Sequence, residues 1–471
     1  MVINFILRII EQYVLVVGSI KREGTKLILR FENIFKDEII GKIKEIKEYD
    51  IFIVGGYLRD FLLGKKSRDI DLVVYGDGKK FASIFGIPFK LKEEFDEWRV
   101  LYNDRIIDVL GIDCSIVEDL KRRDFTINSM GMNLKTLEFF DPMNGMKDLK
   151  DCIIRANSAE NIKNDPVRIL RGLRMMAELG FTVEERTMNY FKEYSMLLRN
   201  TAPERIHQEL VLLFSAKKTS DTIIPEIFDI IFPGFLKMKE IKGSVSTDKD
   251  LLTHSILSLY HLEEIIENDN ILKKYRKHIK RYLKDKIYLL KIATLIHDIK
   301  KPETIVIDEK VHFYGHDKEG AEWFKKIGRD LRFSNKEIDF IYTILRNHMW
   351  IHLLSTVELT ERAIRRIIFR IGEDVIGLIL FTIADELASG GDNIEKVMNV
   401  CNKILEYYWT KKKEIKPVIL GRDIIKHFKI SPGPEIGRLL RIAQEAYIEG
   451  VVRNKKEAID FLKKNIKKEE L

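Results

Sequence analysis

Cysteine is scarce: Cys114, Cys152 and Cys401 are the three in 471 residues, and they stand far apart. Neither a zinc ribbon nor a disulfide framework can be built from them, and a reducing, cytoplasmic setting is the expectation. Glutamine is as rare, with Gln12, Gln208 and Gln444 in a chain rich in Ile, Lys and Glu. That bias resembles thermophile composition and bears on habitat rather than on mechanism. Long uninterrupted apolar runs are missing too. The N-terminus is the most apolar stretch, but Arg8, Glu11 and Gln12 interrupt it and no basic segment precedes it, so it reads as neither a signal peptide nor a membrane span. No internal repeat is visible, and no low-complexity tract beyond lysine-rich runs. What remains is a globular composition, 45% apolar and 33% charged, long enough for about three domains at ~150 residues each. Lys+Arg of 81 against Asp+Glu of 73 leaves a net +8, which suits a polyanionic partner.

From Tyr49 to about Met146 the chain carries short β-rich runs punctuated by glycine: Ile51–Gly56, Ile70–Tyr75 and Arg105–Leu110. After Asp148 the pattern turns helical, with amphipathic runs over Pro166–Leu179 and Pro203–Phe214 and breaks near Pro233-Gly234 and Lys416-Pro417. The first strand ends in Gly55-Gly56-Tyr57-Leu58-Arg59-Asp60, and the next begins with Asp69-Ile70-Asp71. Strand residues i and i+2 share a face, so Asp69 and Asp71 present their carboxylates together. Two such carboxylates repel unless a cation lies between them, a need that Mg²⁺ meets. Asp108 is the natural third ligand if its strand lies beside theirs. Gly55 and Gly56 let backbone N–H groups approach a phosphate whose charge Arg59 can hold. A lone Asp-x-Asp is commonly a turn or a solvated edge; the Gly-Gly-x-x-Arg-Asp upstream points instead to a site.

A second cluster, Arg122-Arg123-Asp124 before Phe125–Asn128, could by itself be a surface ion pair. In the third, Asp165 and Arg168 lie three apart on one helix face, followed by Arg171 and Arg174. This sets an acceptor beside a donor. Cytosine and adenine each show an exocyclic amine next to a ring-nitrogen acceptor, so the pair could select C and A.

The motifs GGYLRDFLLG…DID, RRDFTINSM, DPMNGMKDL, NDPVRILRGLRMMAELGF and APERIHQEL follow one another in the order and approximate spacing of the class II tRNA nucleotidyltransferase and bacterial poly(A) polymerase family, which the chain resembles over residues 48–471. The resemblance implies an α+β fold, a nucleotidyltransferase-type α/β head followed by an all-helical neck, body and tail. The expected division is an N-terminal extension (1–47), head (48–150), neck (151–235), HD-like body (236–415) and tRNA-binding tail (416–471). It further implies that Asp69 and Asp71 bind the catalytic metals, that Gly56 and Arg59 meet the triphosphate, and that Arg123 and Asp124 hold the ribose. Asp165 and Arg168 would read the base, Arg171 and Arg174 contact base or phosphates, and Glu204, Arg205 and Glu209 brace the neck helices. The chemistry implied is two-metal nucleotidyl transfer with Mg²⁺.

Two departures stand out. Asn164 occupies a position where the family usually has Glu. Only the 11 residues Gly111–Lys121 separate Leu110 from Arg122, where CCA-adding relatives carry a long flexible loop. That shortening resembles the CC-adding branch, so the expected activity is addition of CC to tRNA from CTP, with full CCA addition using ATP as the wider reading and a separate A-adding enzyme as a partner in sequence. The alternatives are poly(A) polymerase or A-adding activity within the family. From another class, the alternative is an HD phosphohydrolase with an RNA-binding head. Thr253-His254, His297-Asp298, His312, His316, Asn347-His348 and Asp385 follow the order of an HD phosphohydrolase-type domain. His254, His297, Asp298 and Asp385 are the candidate ligands for a second metal there, and the other histidines read as ordinary surface or core residues. Lys300 stands where glycine is usual. The tail carries more Lys/Arg than Asp/Glu, which suits contact with RNA.

Overall fold

The computed structural model describes residues 21–23, 26–28, 32–67, 69–93, 95–241, 249–268, 270–308, 311–411 and 417–465. The apolar N-terminal stretch and the last six residues of the expected tail lie outside them. The chain divides into two units, Met1–Glu209 and Leu210–Leu471.

The first unit is built on a mixed sheet. Its strands are β1 (Ile51–Val54), β2 (Asp69–Tyr75), β3 (Phe89–Lys92), β4 (Glu97–Tyr102), β5 (Arg105–Ile112), β6 (Gly131–Asn133) and β7 (Phe139–Phe140), in the spatial order β3-β4-β5-β2-β1-β6-β7. The runs expected from branched and aromatic residues are there, and the third extends two residues further than its apolar pattern indicated. All four residues of β1 are buried, as the unbroken run Ile-Phe-Ile-Val requires of a central strand. β2 and β5 pair in parallel, with Asp71 opposite Asp108, whereas β4 and β5 form a hairpin that sets Arg99 opposite Asp108. Asn103 and Asp104 turn that hairpin at φ 48° and 60°, a left-handed pair that Asn and Asp tolerate and that matches the strand twist. Phe52, Val54, Val73, Ile112, Ile116 and Leu120 close the core on one face.

Helices flank and follow the sheet: α1 (Glu38–Lys44), α2 (Gly55–Leu62), α3 (Ile116–Arg122), α4 (Ala159–Asn164), α5 (Val167–Leu179), α6 (Glu185–Tyr194) and α7 (Pro203–Ser215). α3 is fixed at its start by a capping box between Ser115 and Glu118. The described part of the expected extension is fastened to the sheet: Asp37 accepts from the Tyr57 hydroxyl at 2.8 Å and pairs with Arg105.

The second unit is helical, through α8 (Leu251–Glu267), α9 (Arg276–Leu283), α10 (Ile287–Ile296), α11 (His316–Asp330), α12 (Asn335–Asn347), α13 (Met349–Ser355), α14 (Val375–Ala388) and α15 (Ile394–Lys411). α10 and α14 are apolar around nearly their whole circumference and lie in the interior. Lys291 of α10 is 1% exposed and pairs with buried Glu263 of α8 at 2.7 Å. The pair is tolerable because its remaining valences are filled: Lys291 also donates to the Ala216 carbonyl at 2.6 Å, and Glu263 accepts from Thr219 N and Ser220 Oγ. At the C-terminus α16 (Gly421–Phe428), α17 (Pro434–Ile448) and α18 (Lys455–Asn465) enclose a core of their own around Ile424, Leu439, Ala443, Ala458 and Leu462. Among the described residues no helix is long and apolar enough to cross a membrane.

Candidate active site in the first unit and a histidine cluster in the second

Asp69, Asp71 and Asp108 share one sheet face, because Asp69 and Asp71 alternate on β2 and the parallel register sets Asp108 beside Asp71. Asp71 is half-buried, and desolvation together with the Asp108 charge pushes its carboxyl upward while Arg123 opposes the shift. A cation at this face would reverse that bias toward the ionised form. Asp108 is the most committed of the three, since Arg99 grips it through two hydrogen bonds of 2.6 and 2.7 Å. Arg99 was not among the residues singled out from the sequence.

The glycine turn explains itself geometrically. Gly55 has φ +64°, and a Cβ there would lie 3.0 Å from both Asp71 Oδ2 and Arg123 Nη1. The backbone therefore passes against the Asp71 carboxylate in a conformation that side chains resist, and Tyr57 N donates to Asp71 Oδ2 at 3.2 Å. Arg59 is held from two sides: Nη1 donates to Asn128 Oδ1 at 2.8 Å, and Nε and Nη2 reach Asp60. Asn128 in turn donates to Asp124 at 3.0 Å, so one amide links Arg59 with Asp124. Arg123 is anchored by two hydrogen bonds to Asp119. Asp124 is buried, yet the charges of Arg171 and Arg168 and hydrogen bonds from Asn128 and Phe125 N hold it down at about 2.

Asp165 and Arg168 do lie together at the start of α5. Arg205 of α7 donates through Nη2 to Asp165 Oδ2 at 2.9 Å; its Nη1 is 2.8 Å from Oδ1 without the alignment of a hydrogen bond. Asp165 Oδ1 and Arg168 Nε are both buried with no hydrogen-bond partner, while Arg168 Nη1 donates to the Arg122 carbonyl. An acceptor and a donor without hydrogen bonds thus adjoin, although both belong to ion pairs: Asp165 Oδ1 with Arg205 Nη1 at 2.8 Å and Arg168 Nε with Asp165 Oδ2 at 3.6 Å. Arg171 spans Asp124 and Glu209, and Arg174 spans Glu209 and Glu178, so Glu209 ties α7 to α5.

In the second unit His254, His297, Asp298 and Asp385 converge. His254 Nε2 is 2.8 Å from Asp385 Oδ1, and His297 Nε2 is 3.2 Å from Asp298 and 3.3 Å from Asp385. The cluster is larger than expected. His316 and His348 meet Nε2 to Nε2 at 3.0 Å beside Asp298, and His352 lies 2.9 Å from Asp385. His316 and His348, which follow the HD order but were not expected as ligands, and His352, which lies outside it, thus join the cluster; they come from α11, α12's end and α13. His312 stays outside, stacked on Tyr314. The Nδ1 atoms of His297, His316 and His348 each face a backbone carbonyl at 2.7–2.8 Å, which leaves Nε2 as the free ligand atom. Asp298 is wholly buried with Oδ1 lacking a hydrogen bond. Against the desolvation of full burial, Asp298 and Asp385 push His297 up to about 10, whereas burial and the neighbouring imidazoles push His348 down to about 3. Two lone pairs and an orphan carboxylate oxygen facing one point fit a metal ion; the two sets that can hold one are His254, His297, Asp298 and Asp298, His316, His348.

A sheet that sets neighbouring carboxylates beside a glycine turn and a fixed arginine defines a nucleotidyltransferase-type head. The chain matches the Poly A polymerase head domain over residues 51–112 and 88–155. It matches the probable RNA and SrmB-binding site of polymerase A over 180–237, and a putative second domain of tRNA nucleotidyltransferase over 320–462; residues 238–319 fall between the last two. Among curated proteins it is 26% identical over 433 residues to an A-adding tRNA nucleotidyltransferase of Deinococcus radiodurans, covering 88% of this chain and 94% of the relative. It is also 26% identical over 438 residues to a CC-adding tRNA nucleotidyltransferase of Thermus thermophilus, covering 88% and 93%. The fold is that of a Thermotoga maritima CCA-adding enzyme solved with tRNA, at a TM-score of 0.54 and 20% identity over 98% of both chains. The chain belongs to the class II tRNA nucleotidyltransferase and bacterial poly(A) polymerase family, and it is a nucleotidyltransferase.

Proposed function

We infer that the chain extends the 3′ ends of tRNA by CCA-type nucleotide addition in the cytoplasm, and we propose that it adds two cytidines from CTP and leaves the terminal adenosine to a separate A-adding enzyme. The observation that carries the base choice is that two buried atoms side by side, Asp165 Oδ1 and Arg168 Nε, make no hydrogen bond, each having only an ion-pair contact. An ion pair without alignment leaves the hydrogen-bonding capacity of each atom unused. A cytosine or adenine edge, with an amine to give and a ring nitrogen to accept, satisfies both at once.

Asp69 and Asp71 hold Mg²⁺, with Asp108 completing the acidic face. The metal supplies Lewis-acid stabilisation of the triphosphate and lowers the pKa of the attacking 3′-hydroxyl. The chain does the rest by position. Gly55 and Gly56 bring backbone against the triphosphate, and Arg59, steadied by Asn128 and Asp60, takes up phosphate charge. Arg123 and Asp124 hold the ribose, with Arg171 and Arg174 flanking. The proposed division into head (48–150), neck (151–235), body (236–415) and tail (416–471) assigns chemistry to the first and RNA contact to the last.

The stop after two cytidines is supported by what Gly111–Lys121 does. Its first residues complete β5, Ser115 caps α3 and Ile116–Lys121 lie in that helix, so no slack remains for a lever that resets the base site for ATP. Mass spectrometry of tRNA ending at the discriminator base, after incubation with CTP and ATP together, tests this. The expected product is longer by two cytidylates. A product longer by C, C and A shows full CCA addition; one adenylate added only to tRNA already ending in CC shows the A-adding activity; a long adenylate ladder shows poly(A) synthesis.

The buried histidine cluster favours a second metal site, held by His254, His297, Asp298 and Asp385 with His316, His348 and His352 around them. His297→Ala is expected to lower the transition-metal content of the purified protein, read by inductively coupled plasma mass spectrometry, and to remove any metal-stimulated phosphohydrolase activity while nucleotide addition is retained. Collapse of nucleotide addition in the folded variant would give the cluster a role in transfer.

A further inference from the structure

The helical run 273–284 of the second unit contains seven Lys or Arg and no Asp or Glu. Its first turn, Lys273–Tyr275, leads directly into α9. Tyr275, Arg276, Ile279, Tyr282 and Leu283 are buried, and the opposite side is exposed. Lys273, Lys277, Arg281 and Lys284 follow at spacings of four, four and three, which places them on one face over about 16 Å of axis. Among the described residues none of the four has a hydrogen bond or ion pair from its side chain, and all are exposed. Lys274, on the flank, lies 3.7 Å from Glu406 and over the Tyr275 ring at 5.3 Å.

Exposed helix faces ordinarily mix signs, because like charges at i,i+4 destabilise a helix while opposite charges stabilise it. The four carry that repulsion without an ion pair of their own. Only the C-terminal members, near the negative end of the helix dipole, gain locally. A ladder of four unpaired cations at regular steps is complementary to a regularly spaced polyanion.

We propose that Lys273, Lys277, Arg281 and Lys284 form a docking surface for the phosphodiester backbone of the RNA substrate. This rests on the reading that the substrate is a tRNA. The contact is to phosphate alone: four ammonium or guanidinium groups on one edge carry no base-reading geometry.

The test is the salt dependence of binding. The full-length protein and the variant K273Q/K277Q/R281Q/K284Q are titrated with tRNA lacking its 3′ CCA across about 0.05–0.5 M salt. If each residue neutralises one phosphate, the slope of log K against log salt falls in magnitude by about 3. With equal affinity near 1 M, that becomes roughly 10³-fold weaker binding at 0.1 M. Replacing four other exposed lysines of the same unit, Lys318, Lys336, Lys396 and Lys403, by Gln leaves the slope of the ladder unaltered in comparison. Without RNA, the ladder variant should melt no lower than the parent, since repulsion has been removed. Should the quadruple variant misfold, Lys277→Gln alone reads the same slope, with a change of about 0.7–0.9. An unchanged slope overturns the proposal, including the case in which an acidic protein occupies the face, and so does an equal change in the control variant. A ladder-dependent slope with no nucleotide added to tRNA would instead keep the docking surface and sink the assigned activity.

Discussion

Asp69→Ala or Asp71→Ala is expected to lower nucleotidyl transfer by about 10³-fold or more, because loss of metal-borne stabilisation worth several kcal/mol converts at 1.36 kcal/mol per decade. Affinity for tRNA should stay within about twofold, since dispersed phosphate contacts supply it. Asp71 carries the sharper test. Its carboxylate is half-buried, receives Tyr57 N and lies against the Gly55 backbone, so Asp71→Asn keeps the volume and the turn while withdrawing the charge. Single-turnover transfer of labelled CMP, with a gel shift on the same preparation, separates the effects. Equal losses of transfer and binding in both variants would remove these residues from the reaction and return them to the frame of the fold.

The second large effect is on base choice. With Asp165 accepting the exocyclic amine and Arg168 donating to the ring nitrogen, Asp165→Ala should let UTP compete with CTP. A hydrogen-bonded pairing of this kind contributes about 1–3 kcal/mol, so the CTP/UTP ratio of kcat/KM should fall by roughly 5- to 150-fold. The loss should appear with CTP as a lowered kcat/KM and with UTP as a gain or no change. An unaltered ratio in a folded variant would place selection elsewhere in the site.

Much of this arrangement could be read before folding, and the reasons are local. β1 and β2 announce themselves by β-branched runs, and the shared face of Asp69 and Asp71 follows from the strand period alone. The turn at Gly55 was equally legible, because two glycines between a strand and an arginine have few other uses. Asp108 needed one further condition, the adjacency of β5 to β2, which no spacing in the chain states. Arg99 was invisible for the same reason: it reaches Asp108 through a hairpin whose register depends on the Asn103-Asp104 turn. Asn128 reads as one more polar residue after Arg-Arg-Asp, and its link between Arg59 and Asp124 exists only once α2 and the loop after α3 have met. Likewise His316 and His348 follow the HD order in the sequence, yet their place beside Asp298, and that of His352 beside Asp385, exists only once three helices have packed.

Arg205 has a thermodynamic consequence for the empty enzyme. Its fork already holds one oxygen of Asp165 and crowds the other, so an arriving base competes with an internal partner rather than entering a vacant receptor. The apparent dissociation constant of a nucleotide is then its intrinsic value divided by the fraction of molecules in which Asp165 is turned toward the base. If Asp165 reads the base as proposed, such an enzyme would bind its correct nucleotide less strongly than the contacts alone allow, because Arg205 would reclaim the carboxylate whenever a base failed to hold it.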